Sequence, residues 1–259
     1  MCLPHAGAGA SIYFPWVHPL RNAGIELVAV QYPGREDRIN EEPRQTFSDM
    51  MHGLLAAWDA MPEGPPVAIY GHSIGAVLGI ELTFNLFRRN RTHRPHHVFV
   101  SGRNPPHLPP VRPKISGLPD DQFLQGLLHD YQGAIPEAVL ADPEMRNIVL
   151  RVLRGDISVN EDYCGSGPKP ALSIPIHAYG GRDDAWTAYA TLGEWRQYSR
   201  VRGSLRMFPG DHFFHMQCGS LVVAGVISDL LRTESSLPWA EPASLPKEMG
   251  GSESSHFVP

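Results

Sequence analysis

The sequence predicts a single α/β domain with a mostly parallel, twisted sheet and helices on both of its faces. Short apolar runs alternate with longer segments whose apolar residues recur at helical spacing, an order typical of parallel strands joined by crossover helices. The chain has 259 residues, 42% of them hydrophobic, which is enough to bury a large core. We predict that this domain covers residues 1–233. Residues 234–259, rich in Ser, Pro, Glu and Gly, are expected to be disordered.

Each element is predicted from the spacing of its apolar residues. The strands are expected at residues 26–31, 67–70, 97–101, 174–179 and 203–208, and the core helices at residues 47–60, 74–87 and from about 220 onward. Residues 105–172 interrupt this alternation, with short helices expected at 120–131, 137–141 and 144–153. A helical insertion beside the strand ends predicts a mobile lid. The alternative is that these helices only extend the core.

The most informative local motif is Tyr-Gly-His-Ser-Ile-Gly at residues 70–75, between a predicted strand and a predicted helix. G-x-S-x-G in that setting is typical of a serine nucleophile on a sharp strand-to-helix turn. Gly71 and Gly75 leave room for the strand and the helix to cross, and the Ile74 amide at the helix N-terminus can face a developing oxyanion. We therefore predict Ser73 as the nucleophile. A glycine-rich turn without catalytic role is the alternative.

A nucleophilic serine in such a domain needs a general base and an acid that orients it, in the chain order Ser, Asp or Glu, His. We predict His212 as the base because it lies in the loop after the last strand, and His215 is the second candidate. The acid should follow the penultimate strand, where Asp183 and Asp184 are adjacent. Neighbouring side chains in an extended turn point different ways. We choose Asp184 as the acid and expect Asp183 to cap the following helix.

Residues 3–10, Leu-Pro-His-Ala-Gly-Ala-Gly-Ala, form what we call the glycine-rich loop. A loop of this composition brings main chain close to a ligand, and we predict the Ala6 amide as the second oxyanion donor beside that of Ile74. The rival interpretation is a dinucleotide-binding fingerprint, G-x-G-x-x-G. It is disfavoured because only Gly7 and Gly9 match.

Seven segments, taken together, carry more information than any one of them. They lie at residues 4–8, 30–38, 70–75, 100–107, 118–123, 180–184 and 210–214. In this order they resemble the stand-alone type II thioesterases that accompany polyketide and nonribosomal peptide synthases, over nearly the whole chain. The resemblance implies an α/β-hydrolase fold. It also implies an enzyme that removes acyl groups from the phosphopantetheine arm of carrier proteins, with Ser73, Asp184 and His212 as its triad.

The chain departs from the pattern of this family in three places. Only residues 1–3 precede Pro4 of the glycine-rich loop, so we expect either a truncated first strand or a chain start that is assigned too late. Residues 185–187, Ala-Trp-Thr, replace the commoner proline and valine after the acid. The end of the chain, from about residue 234, has no counterpart in the family.

Chemistry alone leaves several functions open. A thiol has a pKa near ~8.5, so a thioester needs little acid assistance to expel its leaving group, and the same triad would also cleave activated esters. A general carboxylesterase or lipase would share the triad. An acyltransferase would pass the acyl group to an alcohol or amine, and a non-catalytic binding module would require a misassembled triad.

Composition excludes other classes. The net charge of −5 argues against nucleic acid, and three scattered cysteines form neither a metal spacing nor a disulfide framework. We expect no cofactor and no metal, a cytoplasmic monomer, and no membrane segment. A basic cluster at residues 88–94 is interpreted as a solvated helix end. A docking patch for an acidic carrier protein is the alternative.

Overall fold

A five-stranded sheet forms the centre of the structure, a computed structural model that describes residues 1–62, 64–110, 112–130, 135–163 and 169–232. Its strands are β1 (Cys2–Leu3), β2 (Ala68–His72), β3 (His97–Ser101), β4 (Ile176–Gly181) and β5 (Leu205–Phe208). They lie side by side in this order, and every pairing between them is parallel. The predicted fold class is confirmed. The predicted tail at residues 234–259 lies outside the described residues.

The helices join the strands and cover both faces of the sheet. They are α1 (Val17–Asn22), α2 (Phe47–Ala60), α3 (Ile74–Arg88), α4 (Asp120–Asp130), α5 (Glu137–Ala141), α6 (Pro143–Asp162), α7 (Tyr189–Gly193), α8 (Phe214–Gln217) and α9 (Gly219–Leu230), with 3₁₀ helices at Ala10–Trp16, Glu36–Arg38 and Glu194–Tyr198. No helix in the described ranges is both long and apolar enough to cross a membrane.

Alternation along the strands divides the core between the two faces. Ile69 of β2 packs into a cluster with α2 and α3, whereas its neighbour Tyr70 packs into a cluster with α9 and the first 3₁₀ helix. Successive strand residues point to opposite faces, so both sides of the sheet are buried. Buried parallel strands of this kind bring their carboxyl ends to one edge of the sheet, which is where the predicted site residues follow β2, β4 and β5.

The prediction of a strand at residues 26–31 is wrong. Only Ala29 forms a bridge, with Cys2 of β1, supported by hydrogen bonds from Cys2 N–H to Val28 O and from Val30 N–H to Cys2 O. Because β1 has only two residues, it offers this segment too short a partner for a longer ladder.

The insertion between β3 and β4 consists of α4, α5 and α6. Its last helix runs far beyond the predicted end at residue 153. Gly155 lies in the part that was missed, and a glycine in a helix costs about 1 kcal/mol relative to alanine. Here a Cβ atom would lie 2.8 Å from Pro43 Cβ and 2.9 Å from Arg44 O. Close packing of α6 on the 43–45 segment therefore requires the glycine.

The insertion has a small apolar core of its own and also joins the main one. Phe123 and Leu127 of α4 pack with Leu150 and Ile157 of α6, while Val159 belongs to the cluster of α2 and α3. The insertion is thus anchored to the main core at the end of α6.

Candidate active site

Ser73 occupies the sharp turn between β2 and α3. Its backbone has φ 56° and ψ −115°, a positive φ that is rare for residues other than glycine, and its N–H donates to Ser101 O at 2.8 Å. A Cβ on Gly71 would lie 2.1 Å from Gly75 O, and one on Gly75 would lie 2.2 Å from Leu3 O. The two glycines therefore permit the close crossing that strains Ser73 and aims it away from the sheet.

His212 meets Asp184 at the carboxyl edge of the sheet. The Nδ1 atom of His212 lies 2.9 Å from Asp184 Oδ2, and both side chains are buried. Since a carboxylate only accepts, His212 Nδ1 carries the proton and Nε2 is the acceptor of the neutral ring. Asp183 is exposed. The expected cap on the next helix is wrong, because α7 has Ala188 as its N-cap and no side-chain cap.

Three groups hold the Asp184 carboxylate. Besides His212, it accepts hydrogen bonds from Trp186 N–H at 2.9 Å and from the Thr187 hydroxyl at 2.8 Å. Burial acts to raise the pKa of this carboxyl, but the bonds from His212, Trp186 and Thr187 outweigh it and hold the pKa below its ordinary value. Thr187, one of the residues by which this turn departs from the family pattern, thus adds a donor that a valine could not supply.

Ser73 and His212 line the same cavity, which has a volume of about 220 Å³. The glycine-rich loop forms one side of it, with His5, Ala6, Gly7 and Ala8. The insertion forms most of the rest with apolar side chains, which are Leu127, Ile135, Pro136, Val139, Val149, Leu153 and Ile157. An apolar cavity with a few convergent polar groups is typical of a small-molecule site. Its walls suit an acyl chain.

Of the two predicted oxyanion donors, Ala6 lines this cavity, and Ile74 directly follows Ser73, which also lines it. Ile74 begins α3, and the first amides of a helix have no carbonyl partner in a preceding turn. Ala6 stands in the glycine-rich loop beside two engaged amides: Gly7 N–H donates to Asp156 Oδ2 at 2.8 Å, and Ala8 N–H donates to His5 O at 3.1 Å. The loop is therefore held by its neighbours.

The 30–38 segment, which had no predicted role, lies against the glycine-rich loop. Arg35 donates to Ala8 O at 3.2 Å, and Gln31 Oε1 accepts from Ala10 N–H at 2.7 Å. Glu36 Oε1 accepts from the Ser11 hydroxyl at 2.5 Å. The only signal in the sequence was the appearance of this segment among the seven that carry the family resemblance.

Sequence analysis also missed a cluster of histidines around His212. The rings of His72 and His215 are stacked with centroids 3.7 Å apart, and His215 Nε2 lies 3.2 Å from His5 Nδ1. Burial, together with the charges of His212 and Arg35, lowers the pKa of His5 to about 3. Burial and the neighbouring histidines also hold the pKa of His72 and of His215 well below the ordinary value. These rings are therefore neutral near pH 7.

The neutral rings make the folded state sensitive to acid. Below about pH 6.5 the unfolded chain binds protons on His72 and His215 and the folded chain does not, so stability falls as the pH is lowered. Moving from pH 7.5 to 5.5 is expected to lower the free energy of unfolding by on the order of 1 kcal/mol for each of these histidines. Urea unfolding of the wild type and of His215→Gln at both pH values measures this effect. The free energy of unfolding should fall less in the variant than in the wild type.

The control is Ser220→Ala, which removes no titratable group from the exposed surface of α9 and should lose as much stability as the wild type between the two pH values. An identical loss of stability in the wild type and in His215→Gln would show that the folded and unfolded chains bind a proton on His215 equally well.

The second candidate base, His215, lies on α8 against His5 and His72 and not against an acidic side chain. Within the described ranges, no group of three or more His, Cys, Asp or Glu side chains is arranged to hold a metal ion. The side chains gathered at the cavity are thus those of acyl-transfer chemistry, a serine and a histidine held by a carboxylate.

Comparison with protein families identifies the chain. The thioesterase domain family matches residues 1–231. The gramicidin S biosynthesis protein GrsT of Aneurinibacillus migulanus is 38% identical over 214 residues, which cover 82% of this chain and 81% of GrsT.

Solved structures agree with this match. RedJ, a thioesterase from the prodiginine biosynthetic pathway of Streptomyces coelicolor, is 29% identical with a TM-score of 0.78, over 88% of each chain. BorB, a type II thioesterase from the borrelidin biosynthetic cluster, is 30% identical with a TM-score of 0.75, over 89% of this chain and 91% of BorB. The resemblance to type II thioesterases is confirmed. The chain belongs to the thioesterase domain family and is an α/β-hydrolase that acts on thioesters.

Proposed function

We propose that this protein hydrolyses acyl thioesters on the phosphopantetheine arm of carrier proteins in polyketide or nonribosomal peptide biosynthesis, with Ser73, His212 and Asp184 as its triad. The observation that carries the proposal is the pairing of His212 with Asp184 at 2.9 Å in an apolar cavity that Ser73 also lines. The names of relatives such as GrsT and BorB support the biosynthetic setting.

The first half of the reaction forms an acyl-enzyme. His212 Nε2 takes the proton of the Ser73 hydroxyl as its oxygen attacks the acyl carbonyl, and Asp184 stabilises the imidazolium that forms. The amides of Ile74 and Ala6 donate to the oxyanion. The carbon–sulfur bond then breaks, and the phosphopantetheine thiol leaves with a proton from His212.

The second half of the reaction hydrolyses the acyl-enzyme and regenerates the free enzyme. His212 removes a proton from water, the hydroxide attacks the acyl-serine, and the same two amides hold the new oxyanion. The bond to Ser73 breaks, the serine recovers its proton from His212, and the free acid leaves. No cofactor takes part in any step, and the carrier protein is the only macromolecular partner that the proposal requires. We place the reaction in the cytoplasm.

The test compares two substrates with the same acyl group, an acyl-phosphopantetheinyl carrier protein and the nitrophenyl ester. We expect a kcat/KM on the carrier-bound thioester at least about tenfold above that on the ester, since binding energy from the remote part of a substrate is available only with the carrier. Release of the free thiol and of nitrophenol measures the two rates.

Equal or faster cleavage of the ester would contradict the carrier-protein proposal and favour a general esterase. Adding an alcohol or amine acceptor distinguishes the remaining alternative: formation of the acylated acceptor in place of the free acid would identify an acyltransferase.

A further inference from the structure

We propose that Asp156 and Arg35 are positioning residues for the reaction, which fix the glycine-rich loop from the insertion helix α6. Through them, the loop has its working geometry only while α6 is seated against it. This inference rests on the proposed role of the loop as the source of an oxyanion donor, the Ala6 amide.

The Asp156 carboxylate joins α6 to the loop directly. It accepts a hydrogen bond from Gly7 N–H at 2.8 Å, and Gly7 directly follows the proposed donor Ala6. The side chain of Asp156 is 1% exposed. The acceptor is thus held inside the protein, and its hydrogen bond fixes the peptide plane between Ala6 and Gly7.

Arg35 completes the connection. Its Nη1 and Nη2 donate to the two oxygens of Asp156 at 2.5 and 2.8 Å, and Nη1 also donates to Ala8 O at 3.2 Å. Two hydrogen bonds therefore hold the loop: the Asp156 carboxylate accepts from Gly7 N–H, and the Arg35 guanidinium donates to the Ala8 carbonyl. Because Arg35 binds both oxygens of Asp156, the carboxylate is held in one orientation.

Packing reinforces the same contact. Gly7 has φ +82°, and a Cβ atom there would lie 2.6 Å from Leu153 Cδ2 of α6. One turn of α6 therefore places Leu153 over Gly7 and Asp156 against its N–H. Further hydrogen bonds to the loop region come from Gln31 and Glu36 in the segment before α2, and from the hydroxyls of Tyr13 and Tyr32. Asp156, by contrast, bonds to the loop from the insertion.

This arrangement links the cover of the cavity to the chemistry beneath it. If α6 moves away, Gly7 loses its acceptor and Arg35 loses its carboxylate. The Ala6–Gly7 peptide is then free to turn, and the adjoining peptide that carries the Ala6 N–H loses its support. If α6 is seated, the loop is held at the moment when the acyl chain is enclosed by the same helix. Oxyanion donors are effective only when they are held in place before the reaction.

The test uses Asp156→Asn and the double variant Arg35→Met with Asp156→Leu. Asp156→Asn leaves Arg35 buried without its carboxylate and is expected to lower the melting temperature. The double variant removes both charges, and apolar replacement of a buried pair is often tolerated. In both, we expect kcat on an acyl thioester to fall by about tenfold to a hundredfold with KM changed less than about threefold, because a misplaced donor acts on the transition state.

A matched control lies beside the C-terminal end of α6. Glu81 of α3 is a buried carboxylate that pairs with Lys169 and accepts from the Tyr163 hydroxyl, just past the end of α6. Glu81→Gln should lower the melting temperature and leave kcat near that of the wild type. A double variant that melts like the wild type and keeps its kcat would overturn the proposal, as would Asp156→Asn with a change in KM alone.

Hydrogen exchange of the Gly7 amide gives a readout independent of catalysis. It should be faster in the double variant, whose leucine cannot accept the Gly7 N–H, than in the wild type and unchanged in Glu81→Gln; unchanged exchange in the double variant would show that the Asp156 carboxylate does not hold the loop. Activity that survives in Ser73→Ala would instead overturn the proposed nucleophile and leave the exchange result standing, so the two failures are distinguishable.

Discussion

Replacing Ser73 with alanine is expected to lower thioester hydrolysis by about 10⁴-fold or more. Without the hydroxyl, no acyl-enzyme forms, and His212 has no nucleophile to activate except water. The backbone at this position has φ 56°, which alanine tolerates no worse than serine, so the variant should fold and still bind substrate. Steady-state rates on an acyl-carrier protein, together with the melting temperature, check both expectations.

The matched control for this substitution is Ser220→Ala. Ser220 is exposed on α9, and its loss should leave the rate within about twofold of the wild type, as is usual for surface positions. A Ser73→Ala protein that keeps more than about a tenth of the wild-type rate would be incompatible with a serine mechanism.

The second large effect is expected at Asp184. Asparagine there can donate to His212 Nδ1, which favours the tautomer with the proton on Nε2 and removes the acceptor that Ser73 needs. We expect kcat to fall by about 10²- to 10⁴-fold with little change in KM. Initial rates over a range of substrate concentrations separate the two parameters.

Asp183→Asn provides the comparison within the same turn. Asp183 is exposed and its backbone N–H donates to Gly210 O, a contact that the substitution keeps. The rate should stay within about twofold of the wild type. A large loss in Asp183→Asn with normal activity in Asp184→Asn would assign the acid to the other residue and refute the proposed triad.

The parts of the site that local sequence determines could be predicted. The turn at Ser73 is specified by its flanking glycines and by the strand and helix on either side, all within about twenty residues of chain. His212 follows a strand end in the same way. The choice between Asp184 and Asp183 depended on which side chain points inward, and only the three-dimensional contact with His212 distinguishes them.

The parts that depend on distant contacts could not be predicted. Asp156 stands 149 positions from Gly7 in the chain, and as a charged residue within a helix it gave no local signal. The full length of α6 was not predicted because Gly155 disfavours a helix locally. Packing against Pro43 requires a glycine at this position. The segment at residues 26–31 has the composition of a strand, but β1, with which Ala29 forms its bridge, has only two residues and is too short for a longer ladder.

The most direct test of Ser73 as the nucleophile is the mass of the peptide that contains it, taken within the first turnover after mixing with an acyl-carrier protein. We expect a gain equal to the mass of the acyl group on the Ser73 hydroxyl, present in the wild type and absent in Ser73→Ala. Product release without any acylated Ser73 peptide, in wild type and variant alike, would contradict the account.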